Sequence, residues 1–98
     1  MERNSASSSA ATNTMTLPTI HLNGTSAKEL AMGYYAARIA MEKAITALAH
    51  VEFNARDYYV RQGAWQAAQL DREEMFTQMR RITNELMKHE WHCADSIK

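Results

Sequence analysis

Apolar or small residues recur along the first half of the chain at Leu30, Tyr34, Ala37, Met41, Ala44, Leu48 and Val51, in alternating steps of four and three. That spacing keeps the side chains on one side of an α-helix. Ile45 widens the stripe. A second stripe with the same alternation runs through Trp65, Ala68, Arg72, Met75, Met79, Ile82, Leu86, His89 and Cys93. Between the two, EFNARDYYVRQG breaks the period, and Asn54, Asp57 and Gly63 are turn-compatible there. The pattern predicts an all-α hairpin unit over 20–98, with helix one at about 27–51, a loop at about 52–63 and helix two at about 64–91. Residues 1–19 lack the pattern and read as a disordered N-terminal tail.

Ser26-Ala27-Lys28-Glu29 has the form of a capping box, with the Ser26 hydroxyl accepting from the Glu29 amide and the Glu29 carboxylate returning to the Ser26 amide. Gly33 weakens the first helix by up to about 1 kcal/mol relative to Ala, and its bare backbone would admit a closely approaching neighbour. Each helix is on the order of 40 Å long, and a connection of roughly ten residues suffices to reverse direction, so the helices are expected to lie antiparallel. Arg72 stands on the second stripe, where a buried guanidinium without a partner is prohibitively costly. It is expected to tilt to solvent or to pair with a glutamate of helix one.

A hairpin buries one stripe per helix, which leaves Tyr35, Ile39, Ile45, Leu70, Phe76 and Met87 flanking the seams without cover. The stripes are too wide for one copy. Self-association into a homo-oligomer is therefore expected, most simply a dimer forming a four-helix bundle, with higher symmetric assemblies compatible. Met75 and Met79 read as adaptable core, and Glu73-Glu74 and Arg80-Arg81 as solvated helix-face charges.

Charge and composition narrow the functional classes. The chain has 98 residues and a formal net charge of zero, with scattered basic residues, so generic DNA or RNA binding through phosphate neutralisation is not expected. The single cysteine, Cys93, excludes an intrachain disulfide, and no apolar stretch nears the roughly 20 residues of a membrane span. MERNSASSSAATNTMT lacks the apolar run of a secretory signal. These features read as a soluble chain of the cytoplasm without a membrane partner, in which the Asn23-Gly24-Thr25 sequon is not used for glycosylation.

Three groups of residues carry candidate chemistry. Asn23, Thr25 and Ser26, with Lys28 in the first helical turn, place donors at the positive end of a helix, where an anion would sit; ordinary capping also explains the hydroxyls. In the connection, Arg56, Tyr58, Tyr59 and Arg61 combine stacking rings with bidentate donors suited to a base and its phosphate. The alternative is that a tyrosine closes the end of the bundle while Asp57 and Glu52 hold the arginines. Third, His89, His92 and Cys93 lie at helical spacing near the position to which a hairpin would return His21, a set capable of holding a structural metal, although tail histidines are ordinarily solvated. No acid pair, activated nucleophile or phosphate-binding glycine loop emerges, so neither an enzyme nor a cofactor is expected.

The motifs HLNGTS before helix one and ARDYY in the connection resemble those of small helical phage and prophage proteins, mostly without assigned function. The likeness covers about residues 20–92 and departs from the pattern at Val60, where such proteins favour Pro. By analogy with small phage proteins that oligomerise to sequester signalling nucleotides of bacterial defence, the resemblance implies a non-enzymatic binder of a small nucleotide in the host bacterial cell. The two motifs would stand at opposite ends of one hairpin, so only antiparallel pairing of copies would bring Thr25, Ser26 and Lys28 of one to Arg56, Tyr58, Tyr59 and Arg61 of another. A rival reading is a protein-interaction or scaffold protein acting through the bundle surface.

Overall fold

A computed structural model describes residues 15–97; the tail expected at 1–19 lies outside the described residues as far as position 14. The described residues form α1 (Ala27–Ala49), a short 3-10 turn (Ala55–Asp57) and α2 (Ala64–Asp95), with no strand among them. The fold is all-α.

Local chemistry sets each boundary. Ser26 is extended, and its hydroxyl oxygen accepts from the Glu29 amide at 3.1 Å. The return half of the capping box takes another form: the Ser26 hydroxyl donates to Glu29 Oε1 at 3.2 Å, so the carboxylate engages the side chain. α1 stops two residues short of the expected end because His50 caps it, its amide donating to the carbonyls of Thr46 and Ala47 and its imidazole Nδ1 lying 2.8 Å from the Thr46 carbonyl. Gly63 precedes α2 with φ of 80°, a left-handed conformation that favours glycine. α2 runs 32 residues, four beyond the expected end, and its last turn is held by the Ser96 hydroxyl donating to the His92 carbonyl at 3.2 Å.

The helices pack antiparallel, since partners of α1 run backwards along α2: Tyr34 with His89, Arg38 with Glu90, and Ala49 with Arg72. On α1 the expected stripe is half-buried at Leu30, Tyr34, Ala37, Met41, Ala44, Ile45 and Leu48, but Val51 is exposed; of the flanking residues expected to lack cover, Ile39, Ile45, Phe76 and Met87 are half-buried within one copy and only Tyr35 and Leu70 are exposed. On α2 the expected stripe largely faces α1, Trp65, Ala68, Arg72, Met79, Leu86 and His89 being half-buried and Cys93 buried, but the covered arc is shifted at two positions. Phe76, Thr83, Met87 and Glu90 are half-buried, whereas Met75 and Ile82 are 46% and 39% exposed. One interaction between the helices favours this shift: Glu90 accepts from Arg38 Nε at 2.7 Å. Gly33 admits no close neighbour, because nothing lies within 4 Å of where its Cβ would stand. The expected approach of α2 at that position is not made.

The fully covered core is thin. Ala27, Ala31, Ala64 and Cys93 are the buried apolar residues among those described. The molecule measures 60 × 35 × 16 Å, one layer of helices, whereas stable domains ordinarily stack two. No described helix is long and apolar enough to cross a membrane.

Candidate ligand-binding site at the two poles

The first motif folds as a turn followed by a cap. The Gly24 amide donates to the His21 carbonyl at 3.1 Å, closing His21–Gly24. The His21 ring lies over the glycine so closely that a Cβ at position 24 would stand 2.9 Å from Nε2. A side chain at position 24 would oblige the exposed His21 ring to swing aside. Asn23, Thr25, Ser26 and Lys28 are all exposed, and the Ser26 hydroxyl is engaged by Glu29. Lys28, Thr25 and Asn23 therefore remain the better placed donors of the group.

At the other pole the connection is wound from successive tight turns: Asp57 amide to Asn54 carbonyl at 3.1 Å, Tyr58 to Ala55 at 2.9 Å, Arg61 to Tyr58 at 3.3 Å and Ala64 to Arg61 at 3.1 Å. The two tyrosines separate. Tyr58 is half-buried against Phe53 and Trp65, each ring centroid 5.8 Å away, while Phe53 and Trp65 meet at 4.7 Å. Tyr59 is 73% exposed, and Val60 beside it 87%. Arg56 and Arg61 are exposed and make no ion pair among the described residues. The acids expected to restrain them do not do so, Glu52 instead accepting from Asn54 Nδ2 at 3.2 Å. Of the expected quartet, Tyr58 thus closes the bundle end, and Arg56, Tyr59 and Arg61 are left exposed.

Arg72 adopts neither expected arrangement. Its guanidinium sits 4.8 Å from the Phe53 ring centroid and 4.9 Å from that of Phe76. Nη2 points to the Ala49 carbonyl at 3.5 Å, at the negative end of α1. Ring faces and a helix terminus stabilise the charge in place of a carboxylate. Phe53 is the residue that sequence reasoning missed; its only signal was an aromatic side chain just outside the stripe, next to a turn flanked by Tyr58 and Trp65.

Beside this cluster a half-open cleft of 280 Å³ is lined by Leu48, Val51, Phe53, Tyr58, Ala68 and Met75, with Glu52, Asp71 and Arg72 also bordering it. Two acids at the margin and an arginine already stacked make it unsuited to an anion. Arg56, Tyr59 and Arg61 do not line it.

The candidate metal set is dispersed into other roles. His89 stacks on Tyr34 at 4.7 Å, with Nδ1 2.8 Å from the Glu85 carbonyl. His92 Nε2 donates to the Pro18 carbonyl at 2.6 Å. Cys93 is 0% exposed, and burial pushes its thiol pKa up, away from the thiolate that ligates metals. Among the described residues no three His, Cys, Asp or Glu side chains gather into a metal-holding group.

The two poles are separated by the 23 residues of α1, about 35 Å at 1.5 Å per residue, so one copy does not bring them together. Fold and site define an all-α helical hairpin with a cation-bearing connection. The chain matches no family model, no curated protein and no solved structure.

Proposed function

We propose that this hairpin is a non-enzymatic, self-assembling binder that captures a small anionic ligand between copies. The carrying observation lies in the connection: Arg56, Tyr59 and Arg61 are all exposed, and both arginines are without acid partners among the described residues. A free ring stacks a base, and free guanidinium groups bind its phosphates bidentately. The turns and the Tyr58 plug hold these groups on a fixed base, which lowers the ordering cost of binding. Antiparallel pairing of copies adds Asn23, Thr25, Ser26 and Lys28 from the neighbouring copy, at the positive end of its α1. The resemblance to phage proteins narrows the ligand to a nucleotide of bacterial immune signalling, sequestered in the host cell by mass action and left chemically unaltered.

Calorimetric titration with cyclic dinucleotides, cyclic trinucleotides and ADP-ribose derivatives tests this. One member should bind with saturable heat, and Arg56→Ala should weaken it at least about tenfold while leaving the far-ultraviolet helix signal unchanged. No heat from any member at tens of micromolar protein removes the ligand reading. A second reading, a protein-interaction or scaffold protein, is favoured by the Tyr59-Val60 tip, whose two exposed side chains would anchor a partner surface. It predicts a stoichiometric protein partner in pull-downs, lost on Tyr59→Ala.

A further inference from the structure

The half-open cleft at the connection pole has apolar walls and a border of acids without ion-pair partners. Leu48, Val51, Phe53, Tyr58 and Met75 supply apolar surface, and two of them, Val51 and Met75, stand 57% and 46% exposed. Glu52 and Asp71 lie at the border together with Arg72. Arg72 is the nearest cation in sequence to Asp71, yet its guanidinium is held by the Phe53 and Phe76 rings and the Ala49 carbonyl. Neither acid forms an ion pair among the described residues, and Glu52 accepts from the neutral amide of Asn54 at 3.2 Å. Leu48 belongs to the last turn of α1, which carries no basic residue, so the cleft also opens at the negative end of that helix.

We infer that this cleft binds a small aromatic ammonium ion, with the ring against the apolar wall and the charged end at the border formed by Glu52 and Asp71. The site is separate from the anion-binding groups proposed above, since Arg56, Tyr59, Arg61 and the start of α1 do not line it. Its 280 Å³ is nearly twice the ~150 Å³ that admits a benzene ring, which leaves room for a short chain carrying the charge. Small-ligand pockets begin at roughly 300 Å³. Covering Val51 and Met75 removes apolar surface from water, while Phe53 and Tyr58 offer ring surface that attracts both cations and other rings. An anion would meet two carboxylates, and a neutral ligand gains nothing from them. Two carboxylates against one engaged guanidinium leave the border negative, although the chain as a whole has a formal net charge of zero. The preference for a cation is therefore local to the cleft.

Amide NMR titration of the full chain at constant ionic strength, without nucleotide, provides the test. The probe 2-phenylethylammonium should shift the signals of Val51, Phe53 and Ala68 saturably, with a Kd of about 1 millimolar, as expected for so small a ligand. Its uncharged analogue 2-phenylethanol should bind about threefold more weakly, and the anion 3-phenylpropionate at least about tenfold more weakly. The double variant Glu52→Gln, Asp71→Asn should bring the ammonium down to the affinity of the alcohol while leaving the alcohol unchanged. Should that variant lose helix signal, Ala68→Leu replaces it, narrowing the cleft and weakening ammonium and alcohol alike. The inference is overturned by no saturable shift up to about 20 millimolar probe, by shifts centred outside the cleft, or by 3-phenylpropionate binding as tightly as the ammonium. Undiminished ammonium binding in the folded double variant, or in Ala68→Leu, overturns it too. Equal binding of n-butylammonium, which mimics a lysine side chain, overturns the choice of an aromatic ligand. None of these results bears on nucleotide capture by Arg56 and Arg61, which the calorimetric titration reads separately.

Discussion

At the pole where α1 begins and α2 ends, closure relies on small residues and hydrogen bonds: Ala27, Ala31 and Cys93 are buried, Ser26 takes the Glu29 amide, and His92 donates to Pro18. At the connection pole, rings and one cation serve instead, Phe53, Tyr58, Trp65 and Phe76 gathering with Arg72 from three parts of the chain. The first kind of closure is a set of small contacts, one of them joining positions 74 apart, and breaks in small steps. The second depends on apolar area brought together by the fold, and the loss of one ring loosens the rest.

Trp65→Ala strikes the ring pole, where the side chain is half-buried, and should cost about 2–3 kcal/mol in urea unfolding, somewhat below the cost of deleting a fully buried aromatic. A cost below about 1 kcal/mol would show that the ring cluster does not hold that pole. Ser26→Ala, at the other pole, should cost about 1 kcal/mol by removing the cap of α1. An effect as large as that of Trp65→Ala would erase the contrast between the poles. The smallest effect concerns Cys93. Its pKa is raised in the folded state above the reference value of 9.0, so the unfolded thiol ionises first. The native state then binds more protons than the unfolded state, and stability is full below the unfolded pKa and falls as pH rises through the folded one. Wild type should lose stability as pH rises past 9 relative to its own neutral-pH value, a loss that Cys93→Ala should lack.

Much of the fold was legible because helix periodicity is a local signal. The α1 stripe, the Ser26 cap and the loop position all follow from spacing within a few residues. Most of the α2 stripe was legible as well, but the shifts from Met75 to Phe76 and from Ile82 to Thr83 were not, since either member of each pair continues a stripe almost equally well. What decides between them includes Arg38 against Glu90, 52 positions apart, which no local pattern encodes. The same holds for Arg72, whose partners Phe53 and Ala49 belong to other segments. At the connection, exposure of Arg56 and Arg61 follows from their residue type. The division of labour between Tyr58 and Tyr59 does not, because irregular backbone has no period to tell adjacent rings apart.

The bond from His92 to the Pro18 carbonyl fixes the leading segment beside the end of α2. Pro18 and the last turns of α2 therefore stand together at one end of the molecule, like the base of a lamp, with the bare tip far away. A dye or an affinity handle attached at Thr16 or Asp95, both exposed, would hang clear of Tyr59 and its flanking arginines.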